Sequence, residues 1–170
     1  MCKNRDDVDY WGLYHIGWGA THYGTLPSTS APSSNSTFWN NTAPTNSVIS
    51  LGSQNRVNGS SNNMVAYAWH DVEGFQKFGT YVGNGNADGP FIYTGFRPRF
   101  IITKSSTTTS GWNLRDSARS TFNPVNRVLQ ADTASAELTS NYDVLFLSNG
   151  FKILATAADS NSTGETYCYG

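Results

Sequence analysis

The hexapeptide Asn84-Gly-Asn86-Ala-Asp88-Gly89 holds the sharpest opening for chemistry in the chain. Side-chain oxygens at its first, third and fifth positions, with glycine at the sixth, are how a calcium loop begins. The twelfth position, however, is Gly95, where such a loop needs a bidentate glutamate. A calcium ion held by Asn84, Asn86 and Asp88 would therefore borrow ligands from outside the loop, Asp71 or Glu73 for instance. The alternative is a plain turn in which Asn and Asp bond their own backbone and glycine takes positive φ, and it requires nothing further. No other cofactor is expected.

Catalytic constellations are scarce. His15, His22 and His70 show no spacing of a zinc motif and read as separate surface or strand-end histidines. The Gly-x-Ser-x-Gly turn of a serine hydrolase is absent. Asp71 and Glu73 alternate onto one face if that stretch is extended, which sets them side by side, whereas glycoside hydrolysis needs two carboxylates facing each other across a substrate. The expectation is a protein that is not an enzyme. Aromatic residues give the better hint. Tyr10, Tyr14, Trp18, Tyr23 and Trp39 lie among Asn, Ser, Thr and Gly, and flat rings with neutral hydrogen-bonding neighbours suit a sugar-binding surface. For any one ring the plainer role is a loop anchor or a place in the core.

The elements that would carry these residues read as strands. Trp11 and Leu13 alternate with polar or small neighbours, residues 47–51 form a short apolar run, and residues 64–70 are apolar on both faces, as in a central strand. Between them, residues 20–46 read as a long irregular excursion and 56–63 as a turn, with nothing helical. Residues 78–104 contain three apolar runs between Asn-Gly, Asp-Gly-Pro and Gly-Phe-Arg-Pro breaks, the pattern of strands separated by turns. Later, residues 112–116 predict a strand, 144–147 and 151–154 a hairpin about Ser-Asn-Gly, and 166–169 a last strand. Residues 132–138 predict a helical turn capped by Asp132 or Thr133.

Composition narrows the partners. Charged residues make up 14% and the net charge is −1, so the eleven Lys and Arg, scattered along the chain, give no electrostatic footprint for nucleic acid. The apolar runs are too short for a bilayer-spanning helix, and no membrane insertion is expected. The first residues lack the apolar centre of a secretory signal. Cys2 and Cys168 sit at opposite ends of the chain; a bridge would close a very long loop, and two reduced thiols are the plainer reading.

The two halves read as worn copies of one unit. Lys3 precedes Trp11, and Lys104 precedes Trp112, by the same interval, and each Trp is followed two positions later by Leu13 or Leu114. Residues 48–51 answer 144–147, and 58–67 answer 161–170. The expected division is a first repeat over 1–77, a connecting β segment over 78–99 and a second repeat over 100–170, packed as one unit. The first copy lacks the strand that opens the second, and the second stops short of the tail that ends the first, as in a piece of a longer parent. Such a piece has open sheet edges, which predicts a homo-oligomer paired through them.

Six segments carry a family likeness. Residues 3–6 (Lys-Asn-Arg-Asp), 67–75, 78–98, 116–119 (Asp-Ser-Ala-Arg), 123–126 (Asn-Pro-Val-Asn) and 147–152 resemble a β-rich domain family in virion and tail-fibre-like proteins of marine tailed bacteriophages. That family often neighbours concanavalin-like or laminin-G-like sandwich domains. The resemblance implies an all-β sandwich or similar jelly roll with little or no helix. It also implies a structural role in the virion, with assembly in the host cytoplasm, release to the outside, and other virion subunits as partners. Together with the aromatic loops it suggests a fibre or adhesin module that contacts host-surface glycan; the alternative is a decoration or assembly module that binds only virion subunits. The resemblance brings no catalytic residues with it.

Overall fold

In the computed structural model, which describes residues 1–170, the chain forms two compact units, Met1–Trp69 and His70–Gly170. It is an all-β protein: every strand pairing is antiparallel, and the only helices are three single turns.

The first unit is one five-stranded sheet. It contains β1 (Cys2–Asn4), β2 (Trp11–Leu13), β3 (His22–Leu26), β4 (Ser33–Ser34), the helical turns α1 (Ser36–Trp39) and α2 (Asn55–Asn58), and β5 (Met64–Ala66). The strand order is β4-β3-β2-β1-β5. Strand alternation puts Cys2 and Gly12 on one face, and there α1 and α2 supply the core side chains Phe38, Trp39 and Val57. Gly12 makes this approach possible. A Cβ on it would lie 2.7 Å from Val57 Cγ1 and 3.2 Å from Phe38 Cε1.

Three expectations fail in this unit. Residues 20–46 are not an irregular excursion, since they contain β3, β4 and α1, the last capped by Asn35, whose side chain accepts from the Thr37 N–H. Residues 47–51 form no strand. The Thr45 hydroxyl accepts from the Ser47 and Val48 amides, and the Thr45 amide donates to the Val48 carbonyl. That local turn satisfies the backbone which a ladder would have used, and Val48, Ile49 and Leu51 are left exposed. Finally, the run 64–70 is a strand only as far as Ala66, and it lies at the sheet edge, paired with β1 alone.

The second unit is a two-sheet sandwich. One sheet has the order β10-β9-β8-β13-β6 and the other β11-β12-β7, built from β6 (Gly79–Val82), β7 (Phe91–Tyr93), β8 (Phe100–Ser105), β9 (Asn113–Asp116), β10 (Leu129–Gln130), β11 (Val144–Leu147), β12 (Gly150–Ile153), the turn α3 (Ala158–Asn161) and β13 (Thr166–Tyr169). Tyr81, Ile101, Tyr167 and Tyr169 from the first sheet meet Ile92, Val144, Phe146, Phe151 and Ile153 from the second in one core. Phe151 stands edge-on to both Tyr81 and Tyr169, a favoured aromatic geometry. Residues 78–99 are thus no connector: β6 pairs with β13 and β7 with β12, so this segment contributes a strand to each sheet. The helical turn expected at 132–138 is also absent, and Leu138 forms a bridge with Val128 instead.

The same register recurs in both units. Lys3 faces Val65 across β1 and β5 as Lys104 faces Cys168 across β8 and β13. Cys2 faces Gly12 as Thr103 faces Asn113. Lys3 Nζ donates to the carbonyls of Asn4 and Asp7, and Lys104 Nζ to those of Ser105 and Thr108. The turns α2 and α3 each precede the strand that pairs with the Lys-bearing one. The answer of 48–51 to 144–147 does not hold, because only the second run is a strand.

Candidate functional site

The aromatic loop residues separate into core and surface. Trp39 is 2% exposed and meets Tyr14 edge-on at 6.1 Å; burial raises the Tyr14 pKa above its ordinary value. Tyr23 stacks on Phe38 with centroids 3.7 Å apart. The Trp18 ring lies over Gly24, where a Cβ would come within 2.6 Å of it, and 5.4 Å from His15. Tyr10 alone of the five is exposed, with the Arg56 guanidinium 5.7 Å from its ring; Arg56 is held there by Asp9 at 2.7 Å. Tyr14, Tyr23 and Trp39 therefore build the interior of the first unit, and the expected five-residue platform does not form.

A different row of rings does reach solvent. Trp11 on β2 lies 5.9 Å from Tyr67, and Tyr67 lies 6.0 Å from Trp69 at an interplanar angle of 27°. The sheet explains the row. Trp11 is one residue before Gly12, which pairs with Cys2, so it shares the Lys3 and Val65 face, opposite to α1 and α2. Tyr67 follows two residues after Val65 and is anchored where its amide donates to the Met1 carbonyl at 2.9 Å. Tyr67 is 49% exposed and Trp69 54% exposed, with Trp11 half-buried behind them. The sequence marks 64–70 as a run apolar on both faces, and alternation sets Tyr67 and Trp69 on the same one. What it could not show is that the strand ends at Ala66, leaving both rings uncovered.

The Asn84-Gly-Asn-Ala-Asp-Gly loop is built as a turn. Asn84 Oδ1 accepts from the Asn86 amide and Asn86 Oδ1 from the Asp88 amide. Asn161 fills the centre. Its Nδ2 donates to Asn84 Oδ1 at 3.2 Å, Asn86 O at 2.8 Å and Ala155 O at 2.9 Å, while its Oδ1 accepts from the Asn84 amide. Oxygens that would face a cation thus face an amide donor, and Asp88 is turned to Lys152, whose hydrogen bond and charge hold its carboxyl below the ordinary range. Asp71 accepts from the Phe78 amide and pairs with Lys77; although burial pushes its pKa upward, these bonds hold it below the ordinary value. The Asn161 side chain was the decisive residue here, and no spacing rule pointed to it.

A second buried polar centre lies in the sandwich. Arg115 is fully buried, and its guanidinium donates to Tyr142 O, Thr103 Oγ1 and Ser160 Oγ. Burial lowers its pKa. These three bonds tie Arg115 on β9 to Thr103 on β8, Ser160 on α3 and the segment before β11, which is a structural task. Both cysteines are buried and carry free thiols.

Comparison with curated proteins and with solved structures gave no match. The family model described as Domain of unknown function (DUF7483) matches residues 1–170. Since that match spans the whole chain, the protein belongs to the DUF7483 family.

Proposed function

We propose that this chain is a non-enzymatic virion module of a tailed bacteriophage, a fibre or adhesin component that contacts host-surface glycan through Trp11, Tyr67 and Trp69. The observation that carries the glycan contact is the row of rings at 5.9 and 6.0 Å spacing, Tyr67 and Trp69 exposed and Trp11 half-buried behind them. Apolar ring faces with a polar surround bind the C–H faces of a sugar while its hydroxyls stay hydrated. Successive rings about 6 Å apart suit an extended saccharide chain rather than one small molecule enclosed in a cavity. The virion setting rests on the sequence resemblance described above.

The test is an array of bacterial surface polysaccharides probed with the whole chain and with Trp69→Ala. Binding to at least one polysaccharide, reduced about tenfold or more by the substitution, supports the reading; a tenfold loss corresponds to about 1.4 kcal/mol. Absence of binding to any saccharide, with the three rings covered by neighbouring subunits in the assembled particle, supports the rival reading of a decoration or assembly module.

A further inference from the structure

The second unit has a cleft between the hairpin of residues 71–77 and the turn that ends β7. Its volume is about 390 Å³, within the roughly 300–1,000 Å³ of ligand clefts. Asp71, Glu73, Gln76 and Lys77 line it from the hairpin, and Tyr93 and Gly95 from β7 and its turn. The backbone fixes both segments. Val72 and Gln76 exchange both main-chain bonds around Gly74, which takes the φ of +72° that this turn needs. The Thr94 and Gly95 amides both donate to the Asn149 carbonyl. Most of the polar side chains are already engaged. Asp71 pairs with Lys77 and accepts from the Phe78 amide, and the Gln76 side chain donates to the His70 carbonyl. Two groups remain free. The exposed Glu73 carboxylate is held by no hydrogen bond or ion pair, and the Tyr93 ring is 66% exposed. Strand alternation turns Ile92 into the core and Tyr93 outward, and Gly95 beside it carries no side chain to cover the ring.

We propose that this cleft binds one sugar residue of a saccharide, with the sugar's C–H face on Tyr93 and two adjacent hydroxyls on the Glu73 carboxylate. An ionised carboxylate offers two oxygens and only accepts, and a vicinal diol presents two donors side by side. The charge makes such bonds roughly twice as strong as neutral ones. A flat exposed ring supplies the apolar half of the contact. Other ligand classes fit less well. Asp71 and Lys77 cancel each other, so the net charge facing the cleft is that of Glu73, which disfavours anionic ligands. A calcium ion takes six to eight oxygens, and a single free carboxylate does not supply them. The site shares no residue with Trp11, Tyr67 and Trp69 and stands whether or not those rings bind glycan.

The test titrates the isotope-labelled full chain with cellohexaose and with mannohexaose, which carry vicinal diols of two configurations, and reads the Gly74, Tyr93 and Gly95 amides. Saturable shifts of these amides with at least one of the two support the site, provided that they persist in Trp69→Ala, where the ring row of the first unit is broken. Tyr93→Ala and Glu73→Ala are each expected to weaken that binding about tenfold or more, whereas Tyr93→Phe, which keeps the ring, retains it. Both positions are exposed, so unfolding midpoints equal to the parent's verify that the variants fold. Amides that stay still with both saccharides at millimolar concentration overturn the proposal. So do shifts that vanish in Trp69→Ala, and binding that neither Tyr93→Ala nor Glu73→Ala weakens. Shifts here while the Trp11 and Trp69 indoles stay still support this site and count against the ring row.

Discussion

Tyr67 stacks against Trp69 with ring centroids 6.0 Å apart, and both rings are about half exposed. Aromatic pairs in this protein are otherwise mostly interior, as with Tyr81 on Tyr167 at 5.0 Å. The pair therefore leaves apolar ring surface in solvent, and the proposed glycan contact rests on that exposure.

Sugar binding should follow the exposed row and ignore the buried rings. Tyr67→Ala and Trp69→Ala are each expected to weaken polysaccharide binding by about tenfold or more with the same unfolding midpoint as the parent. Trp39→Phe should leave binding unchanged. Its indole N–H is buried without an acceptor, so the substitution removes an unsatisfied donor, and stability should fall little or rise. Titration of the three variants against a bound polysaccharide, alongside urea unfolding, checks both statements.

Gly12 should resist any side chain. With Val57 Cγ1 at 2.7 Å from its would-be Cβ, Gly12→Ala is expected to cost about 1–3 kcal/mol through overpacking. The pairing of Gly12→Ala with Val57→Ala should cost less than the two single changes added together. A double-mutant cycle by denaturant unfolding reads the coupling.

Asn161 should matter more than its counterpart in the first unit. Asn161→Ala strips Asn86 O and the buried Ala155 O of a donor and the Asn84 amide of its acceptor, and a loss of roughly 1–3 kcal/mol is expected, most of it from the Ala155 carbonyl left unpaired. Asn58 Nδ2 donates only to Gly52 O, so Asn58→Ala should cost about 1 kcal/mol. Calcium should not rescue Asn161→Ala, and the unfolding midpoint with and without millimolar calcium tests the turn reading of residues 84–89.

Alkaline stability should carry the signature of Cys168. Burial in β13 raises its pKa from 9.0 to about 12. Below pH 9.0 the thiol keeps its proton in both states and contributes no loss. From pH 9.0 to about 12 the unfolded chain ionises first, so stability falls as pH rises. Lys104 opposes this. Burial lowers its pKa, and stability increases as pH climbs through the folded value. Cys168→Val, which copies Val65 of the first unit, should flatten the decline between pH 9 and 12. Unfolding midpoints measured across that range report it.

Much of the fold was legible because strand periodicity and turn residues are local. The Ser-Asn-Gly hairpin of β11 and β12 and the Lys–Trp–Leu spacing of the two copies follow directly from sequence. The short helical turns were not legible, since four residues such as Ser36–Trp39 owe their shape to a cap and a buried Phe-Trp pair rather than to periodicity. Among site residues, exposure was the missing quantity. Trp39 sits among Ser, Thr and Asn and Trp69 in an apolar run, yet it is Trp39 that packing against Tyr14 and Phe38 draws inside and Trp69 that stays exposed. The role of Asn161 lay beyond reach because its partners are up to 77 positions away.

Indole resonances give the most direct measurement of the central claim. In a titration of the labelled chain with a polysaccharide that binds on the array, the account predicts that the Nε1–H signals of Trp69 and Trp11 shift in a saturable way. Those of the buried Trp39 and Trp112 should stay still. A saccharide that binds without moving Trp69 or Trp11 would contradict the account, and so would a chain that binds none.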